Sequence, residues 1–201
     1  MKKLIIASNN KNKIKEIKEI LDGLNIDVIS LKEAGIDIEV EETGDTFIEN
    51  AYIKALEIFK LFKEDNYMVL ADDSGLSVEA LGGQPGIYSA RFAGEHGNDK
   101  KNNEKLLNMM KDVENRKGKF ICAMVLIIDE NNTIKVQGEV EGVIGYEEKG
   151  IHGFGYDPLF CYPEYNMTFG EMEGNLKNNI SHRRRALNEL EKKIKEYFQG
   201  E

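Results

Sequence analysis

The chain has 201 residues, is 41% hydrophobic and 31% charged, and carries a formal net charge of −9. A chain of this size buries roughly 70% of its unfolded surface, so a core of its own is expected, and its dispersed charges argue against disorder. An acidic chain lacks the basic face that backbone binding to DNA or RNA needs, and two distant cysteines, Cys122 and Cys161, exclude a disulfide scaffold or a Cys-rich zinc site.

The apolar stretch 4–7 behind Lys2 and Lys3 is too short for a signal-peptide core, and the longest apolar run, 120–128, is well under the roughly 18 residues that span a bilayer. The expectation is a soluble cytoplasmic protein with neither a membrane nor a nucleic acid as partner.

In chain order, residues 4–7 read as a short buried strand. Ile14, Ile17, Ile20 and Leu21 then recur at helical spacing, and residues 26–31 read as a second strand. Thr46-Phe47-Ile48-Glu49 has the spacing of a capping box and opens a helix running to about Lys63. The apolar run 68–71 stops abruptly at Asp72-Asp73-Ser74-Gly75, as a strand feeding a loop, and Gly82-Gly83-Gln84-Pro85-Gly86 makes a turn.

Residues 98–113 read as a helix with Leu106, Leu107 and Met110 inward, and 120–128 as a central strand. After a turn at Asn131-Asn132, Ile134, Val136 and Val140 alternate along a half-exposed strand. A last helix carries Ala186, Leu187, Leu190, Ile194 and Tyr197 on one stripe. Strands and helices interleave without repeats or linkers, so one α/β domain over 1–201 with a mixed sheet is expected.

Four groups of residues could carry chemistry. Ser8-Asn9-Asn10-Lys11-Asn12-Lys13 lies between a strand and a helix start, where N–H groups and the positive dipole end favour phosphate, although the same residues also suit an ordinary polar cap. No glycine occurs in residues 1–22, so this is not a Walker loop.

Glu41-Glu42 and Asp72-Asp73 are paired acids. Side chains alternate along extended chain, so one acid of each pair reaches a given site, and a hard cation such as Mg2+ takes one or two carboxylates with water and substrate phosphate. By itself Glu41-Glu42 reads as a solvated loop, whereas acids closing an apolar strand sit where α/β folds place ligands. Asn50, Lys54 and Glu57 share a helical stripe that reads as the wet face of its helix, or as the border of a metal cavity if Glu42 and Asp73 bind one.

The fourth group is Phe154-Gly155-Tyr156-Asp157 with Lys177 and Ser181-His182-Arg183. A glycine between aromatics lets a flat ring approach, so Phe154 or Tyr156 could stack on a base or simply belong to the core. If Ser181 caps the last helix, His182 and Arg183 place two potential cations in its first turn, where the dipole disfavours them unless an anion or an acceptor compensates.

Six segments now stand in order: Ser8-Asn9-Asn10-Lys11-Asn12-Lys13; Glu42-Thr43-Gly44 running into Thr46-Phe47-Ile48-Glu49-Asn50-Ala51; Ala71-Asp72-Asp73-Ser74-Gly75; Pro85-Gly86-Ile87-Tyr88-Ser89-Ala90-Arg91-Phe92; Gly153-Phe154-Gly155-Tyr156-Asp157-Pro158; and Ile180-Ser181-His182-Arg183. Together they resemble the non-canonical purine nucleoside triphosphate pyrophosphatases, also called inosine triphosphate or XTP/dITP pyrophosphatases.

The resemblance implies a two-lobed α/β fold around a long mixed sheet flanked by helices, a homodimer, and Mg2+-dependent hydrolysis of ITP, dITP and XTP to the monophosphate and pyrophosphate. By motif position Ser8, Asn9, Asn10, Lys11, Asn12 and Lys13 hold the triphosphate, Glu42 and Asp73 hold the metal, and Asp73 is also the general base. Ser74, Phe154, Gly155, Tyr156, Asp157, Lys177, His182 and Arg183 contact the nucleotide.

Ser8-Asn9 stands where members of the family often carry Thr-Gly or Thr-Asn. An aspartyl-phosphate enzyme fits poorly, because the positions two after Asp72 and Asp73 are Ser74 and Gly75 rather than a second acid. A nucleotide sensor without turnover is the other reading. Arg183 carries only donors, which suits the 6-oxo group of hypoxanthine or xanthine and opposes the 6-amino group of adenine.

Overall fold

The computed structural model describes residues 3–21, 26–62 and 67–199; the Ile20 side chain and Lys63 lie outside that set. Its strands are β1 (Lys3–Ile6), β2 (Asp27–Ser30), β3 (Tyr67–Val78), β4 (Lys117–Ile127), β5 (Thr133–Ile144), β6 (Phe160–Tyr162) and β7 (Met167–Thr168). The helices are α1 (Lys11–Leu21), α2 (Phe47–Phe59), α3 (Asp99–Met109), α4 (Gly174–Ile180) and α5 (His182–Gln199).

The seven strands form one sheet in the order β2-β1-β3-β4-β5-β6-β7, flanked by helices. β1 pairs parallel with β2 and β3, while β6 pairs antiparallel with β5 and β7, so the sheet is mixed as expected. The chain divides into two compact units, 1–73 with 122–138 and 183–201, and 74–121 with 139–182.

In the first unit, period-2 alternation distributes side chains to two helical layers. Leu4, Ile6, Met68, Leu70, Cys122 and Met124 cluster with Ile17 and Leu21 of α1 and Ala186, Leu187 and Leu190 of α5. Ile5, Val69, Ala71, Val125 and Ile127 cluster instead with Ala51, Ala55 and Ile58 of α2. Both faces of these strands are therefore buried, which is why 4–7 and 68–71 read as unbroken apolar runs.

In the second unit, Leu76 and Val78 of β3, Phe120, Val140 and Ile144 pack with Leu106 and Met110 and with Tyr156, Phe160 and Phe169.

Three expected boundaries move. β3 does not stop at Ala71 but continues through Asp72-Asp73-Ser74-Gly75 to Val78, because Leu76 and Val78 supply a further buried face beyond the acids. α2 ends at Phe59 with Lys60 as its C-cap, short of Lys63, and α3 ends at Met109 rather than Val113. The capping box forms with one shift: Thr46 Oγ1 accepts from Glu49 N at 3.2 Å, while Glu49 reaches back to Asp45 N at 2.9 Å.

Candidate active site

The acids of β3 lie inside a strand rather than at its end, and alternation sends them to opposite faces. Asp72 continues the Met68 and Leu70 row, toward α1 and α5. There its carboxylate meets Lys13 Nζ at 3.1 Å and the Arg183 guanidinium at 3.9 Å, with its own side chain fully buried. Burial works to raise its pKa, but Lys13, Arg183 and Lys54 outweigh it and hold the carboxyl below the usual range. Arg183, 1% exposed, also pairs with Glu16 of α1. The conflict between this cation and the first turn of α5 is thus relieved by protein carboxylates.

Asp73 continues the Val69 and Ala71 row, toward α2. Its Oδ2 accepts from Asn50 Nδ2 at 3.1 Å, and its Oδ1 lies 4.0 Å from Lys54 Nζ. Lys54 in turn bonds Glu42 Oε1 at 2.7 Å. Glu41 is exposed and Glu42 is turned inward, as alternation requires. The wet-face reading of the α2 stripe therefore fails for two of its three members. Asn50 is fully buried and also accepts from Gly44 N at 2.8 Å, and Lys54 is three-quarters enclosed or more, with side-chain exposure of 15%. Glu57 does face solvent and pairs with Lys60.

Opposed effects act on this cluster, and for both Asp73 and Lys54 the net shift is upward. Burial and the charge of Glu42 raise the Asp73 pKa more than Lys54 and Lys13 lower it. Burial opposes the Lys54 charge, yet Asp73, Glu42 and Asp72 together keep its pKa above the ordinary lysine value. Two carboxylates thus share one ammonium group, and their oxygen donors are of the kind a hard dication takes together with water and phosphate. Glu42 and Asp73 fit Mg2+ on that chemistry. Among the described residues no three His, Cys, Asp or Glu side chains gather into a closed cage.

The segment 8–13 caps α1. Asn10 Oδ1 accepts from the N–H groups of Asn12 at 3.0 Å and Lys13 at 3.2 Å, Asn10 N donates to Ser8 Oγ at 3.2 Å, and Asn9 Nδ2 donates to Ile38 O at 3.0 Å. Two of the N–H groups expected to await phosphate are thus already capped. Asn9, Asn10, Lys11 and Asn12 are exposed, while Ser8 and Lys13 are half-buried.

The second unit gathers Phe154, Gly155, Tyr156, Asp157 and Lys177. Lys177 Nζ, on the last turn of α4, bonds Asp157 Oδ2 at 2.7 Å with both side chains 4% exposed, and stands 5.0 Å from the Phe154 ring centre. Asp157 Oδ2 also accepts from Phe154 N at 2.8 Å. Gly153 has φ +76°, and a Cβ there would collide with the Asp157 carboxylate. Phe154 is half-buried, whereas Tyr156 is 4% exposed and donates to Ser89 O at 2.8 Å, so Phe154 is the more exposed of the two rings.

His182 is 5% exposed and stacks on Phe120, with ring centres 4.8 Å apart and planes at 14°. Ser74 is half-buried on β3, and Ser181 has the extended backbone of a residue preceding a helix, φ −65° and ψ 158°. The division between units falls between Asp73 and Ser74 and between His182 and Arg183.

Glu16 is not legible in the sequence as the Arg183 partner, because its place in the polar half of an amphipathic helix gives no sign of one. The Asn50 stripe was open between a wet face and a cavity border, and a signal for the second was present: Asn50 and Lys54 are four apart on one helix and Asp73 alternates onto the face that helix covers.

Residues 4–193 match the Ham1 family. The chain is 63% identical to a dITP/XTP pyrophosphatase of Clostridium tetani, over 99% of each protein, and 48% identical to one of Bacillus subtilis, over 96% of each. Among solved structures, the Ham1 protein of Staphylococcus aureus superposes with a TM-score of 0.87 at 41% identity, covering 98% of this chain and 100% of that one. With a whole-chain family match, close relatives and the same fold, this chain belongs to the Ham1 family.

Proposed function

We propose that this protein hydrolyses ITP, dITP and XTP to the nucleoside monophosphate and pyrophosphate, clearing altered purines from the nucleotide pool. The family and the names of its relatives support the reaction, and one observation carries the site: Glu42 and Asp73 flank the Lys54 ammonium group one strand position from the Asp72–Lys13 pair. In this reading Lys13 serves the phosphate and Glu42 with Asp73 the metal, on either side of two adjacent residues of β3.

In this reading Lys11 and Lys13 neutralise the phosphate chain and Ser8, Asn9, Asn10 and Asn12 orient it. Glu42 and Asp73 would hold Mg2+, which would supply charge neutralisation and Lewis acidity for phosphoryl transfer. Asp73 orients the attacking water and is the group placed to take its proton. Water adds to phosphorus, the bridge between the α- and β-phosphates breaks, and pyrophosphate leaves. Lys54 stays beside both acids and restrains their mutual repulsion.

Phe154, Gly155, Tyr156, Asp157, Lys177, His182 and Ser74 form the nucleoside side, with Phe154 stacking on the base. Arg183 favours a 6-oxo purine through its donors, held in line by Glu16 and Asp72. A homodimer working in the cytoplasm belongs to the same reading, supported by the family resemblance.

The test is product analysis with Mg2+ and ITP. Pyrophosphate and IMP in equal amounts are expected. Orthophosphate released without added pyrophosphatase points to a phosphatase, and binding without turnover points to a sensor; either result overturns the proposal.

A further inference from the structure

Helix α3 grips the Phe154 loop through residues outside every segment that carries the family resemblance. Asp99 and Asn103 stand four apart on α3, so their side chains emerge on one face. Both close on a single peptide neighbourhood: Asp99 Oδ2 accepts from Gly155 N at 2.7 Å, and Asn103 Nδ2 donates to Gly155 O at 3.1 Å. One residue of the loop therefore has both of its backbone groups held by the same helix.

Gly155 is at φ +61°, in the left-handed region, so the peptide on either side of it is oriented by this grip and by the conformation that glycine allows. Before Gly155, Asp157 accepts from Phe154 N and is itself anchored by Lys177. The backbone is thus held at successive residues, at Phe154 N by Asp157 and at Gly155 by α3, while the Phe154 side chain between them stays half-exposed.

The neighbouring Asn102 shows that α3 braces more than this loop. Its Oδ1 accepts from Ala93 N at 2.8 Å and its Nδ2 donates to Ala90 O at 3.3 Å, holding the segment whose Ser89 carbonyl receives the Tyr156 hydroxyl.

We infer that Asp99 and Asn103 are positioning residues that fix the Phe154 ring plane for stacking on the purine, through hydrogen bonds to Gly155. The inference rests on the proposal that Phe154 stacks on the base. A ring held in advance spends less ordering free energy when the base arrives, so the effect belongs in nucleotide affinity more than in the chemical step. A carboxylate in the first turn of α3 also stabilises that helix by itself, and the test must separate the two roles.

The test uses the full chain with Mg2+ and ITP, measuring kcat, KM and melting temperature for Asp99→Ala, Asp99→Asn, Asn103→Ala, Phe154→Ala and the double variant Asp99→Ala/Phe154→Ala. Asp99→Ala is expected to raise KM about ten-fold and Asn103→Ala about three-fold, the scale of one charge-assisted and one neutral hydrogen bond, with kcat within about two-fold. Asp99→Asn keeps an oxygen acceptor for Gly155 N and is expected to restore most of the lost KM while leaving the helix dipole uncompensated. The double variant should match Phe154→Ala alone, because Asp99 acts through that ring.

If Phe154→Ala raises KM but Asp99→Ala and Asn103→Ala do not, or if the Asp99 effect adds in full to that of Phe154→Ala, the positioning role is wrong and the stacking proposal stands. If Phe154→Ala leaves KM unchanged, the stacking proposal fails and takes this inference with it. Should Asp99→Ala melt below the assay temperature, Asn103→Ala and Asp99→Asn decide by the same KM criterion.

Discussion

Exchanging either acid of β3 for its amide should separate a charge that stabilises the fold from one that serves the reaction. Asp72 is fully buried against Lys13 and Arg183, and its depressed pKa means that its ionised form stabilises the protein above the ordinary aspartate value of 3.8, an effect lost as pH falls through its lower folded pKa. Asp73 has the opposite sign. Its raised folded pKa gives a contribution present in full below 3.8 and lost as pH rises through the folded value, so at neutral pH its charge is a net cost.

Breaking a buried ion pair costs about 3–5 kcal/mol; the amide keeps a hydrogen bond and Arg183 keeps Glu16, so Asp72→Asn should lose about 2–3 kcal/mol. For a chain of this length that is a fall in Tm of roughly 5–10 °C. Asp73→Asn should melt within about 2 °C of the parent or above it, because the amide removes repulsion from Glu42 and can still accept from Asn50. Thermal melts followed by circular dichroism at neutral pH with EDTA check this.

Turnover of Mg2+-ITP should show the reverse order in kcat, with Asp73→Asn down about 100-fold or more and Asp72→Asn affected chiefly in KM through displaced Lys13 and Arg183. If Asp73→Asn melts lower than Asp72→Asn, the assignment of the two charges is wrong.

Lys54→Met removes the cation between Glu42 and Asp73, so the Asp73 pKa should rise further and the acid limb of the kcat/KM profile should move to higher pH; an unmoved limb means another group governs it. Arg183→Lys keeps a positive charge beside Glu16 and Asp72 but loses the planar fork, and should lower the ITP over ATP preference in kcat/KM by roughly ten-fold, the scale of one unpaired buried group.

Much of the architecture was legible because it rests on local periodicity. The α/β order, the central strand at 120–128, the Thr46 cap and the stripe of α5 all follow from spacing of two or three to four residues, and the structure bears them out. Alternation also separated Asp72 from Asp73 and Glu41 from Glu42 in advance, since neighbouring side chains of extended backbone must diverge whatever surrounds them.

What covers each face was not legible. A polar stripe on α2 reads as solvent-facing because most such stripes are, and only the packing of α2 over the Val69, Ala71 and Asp73 row turns Asn50 and Lys54 inward. β3 was cut short at its acids because polar residues ordinarily end a buried run, whereas Leu76 and Val78 meet a further core contributed by distant segments. The sequence by itself determined which residues are chemically capable and on which side of their strand or helix they stand. Only the tertiary structure decided that Asp72 belongs to Lys13 and Arg183 and Asp73 to Asn50 and Lys54, because such partnerships depend on which helix packs over which face, and no local spacing encodes that.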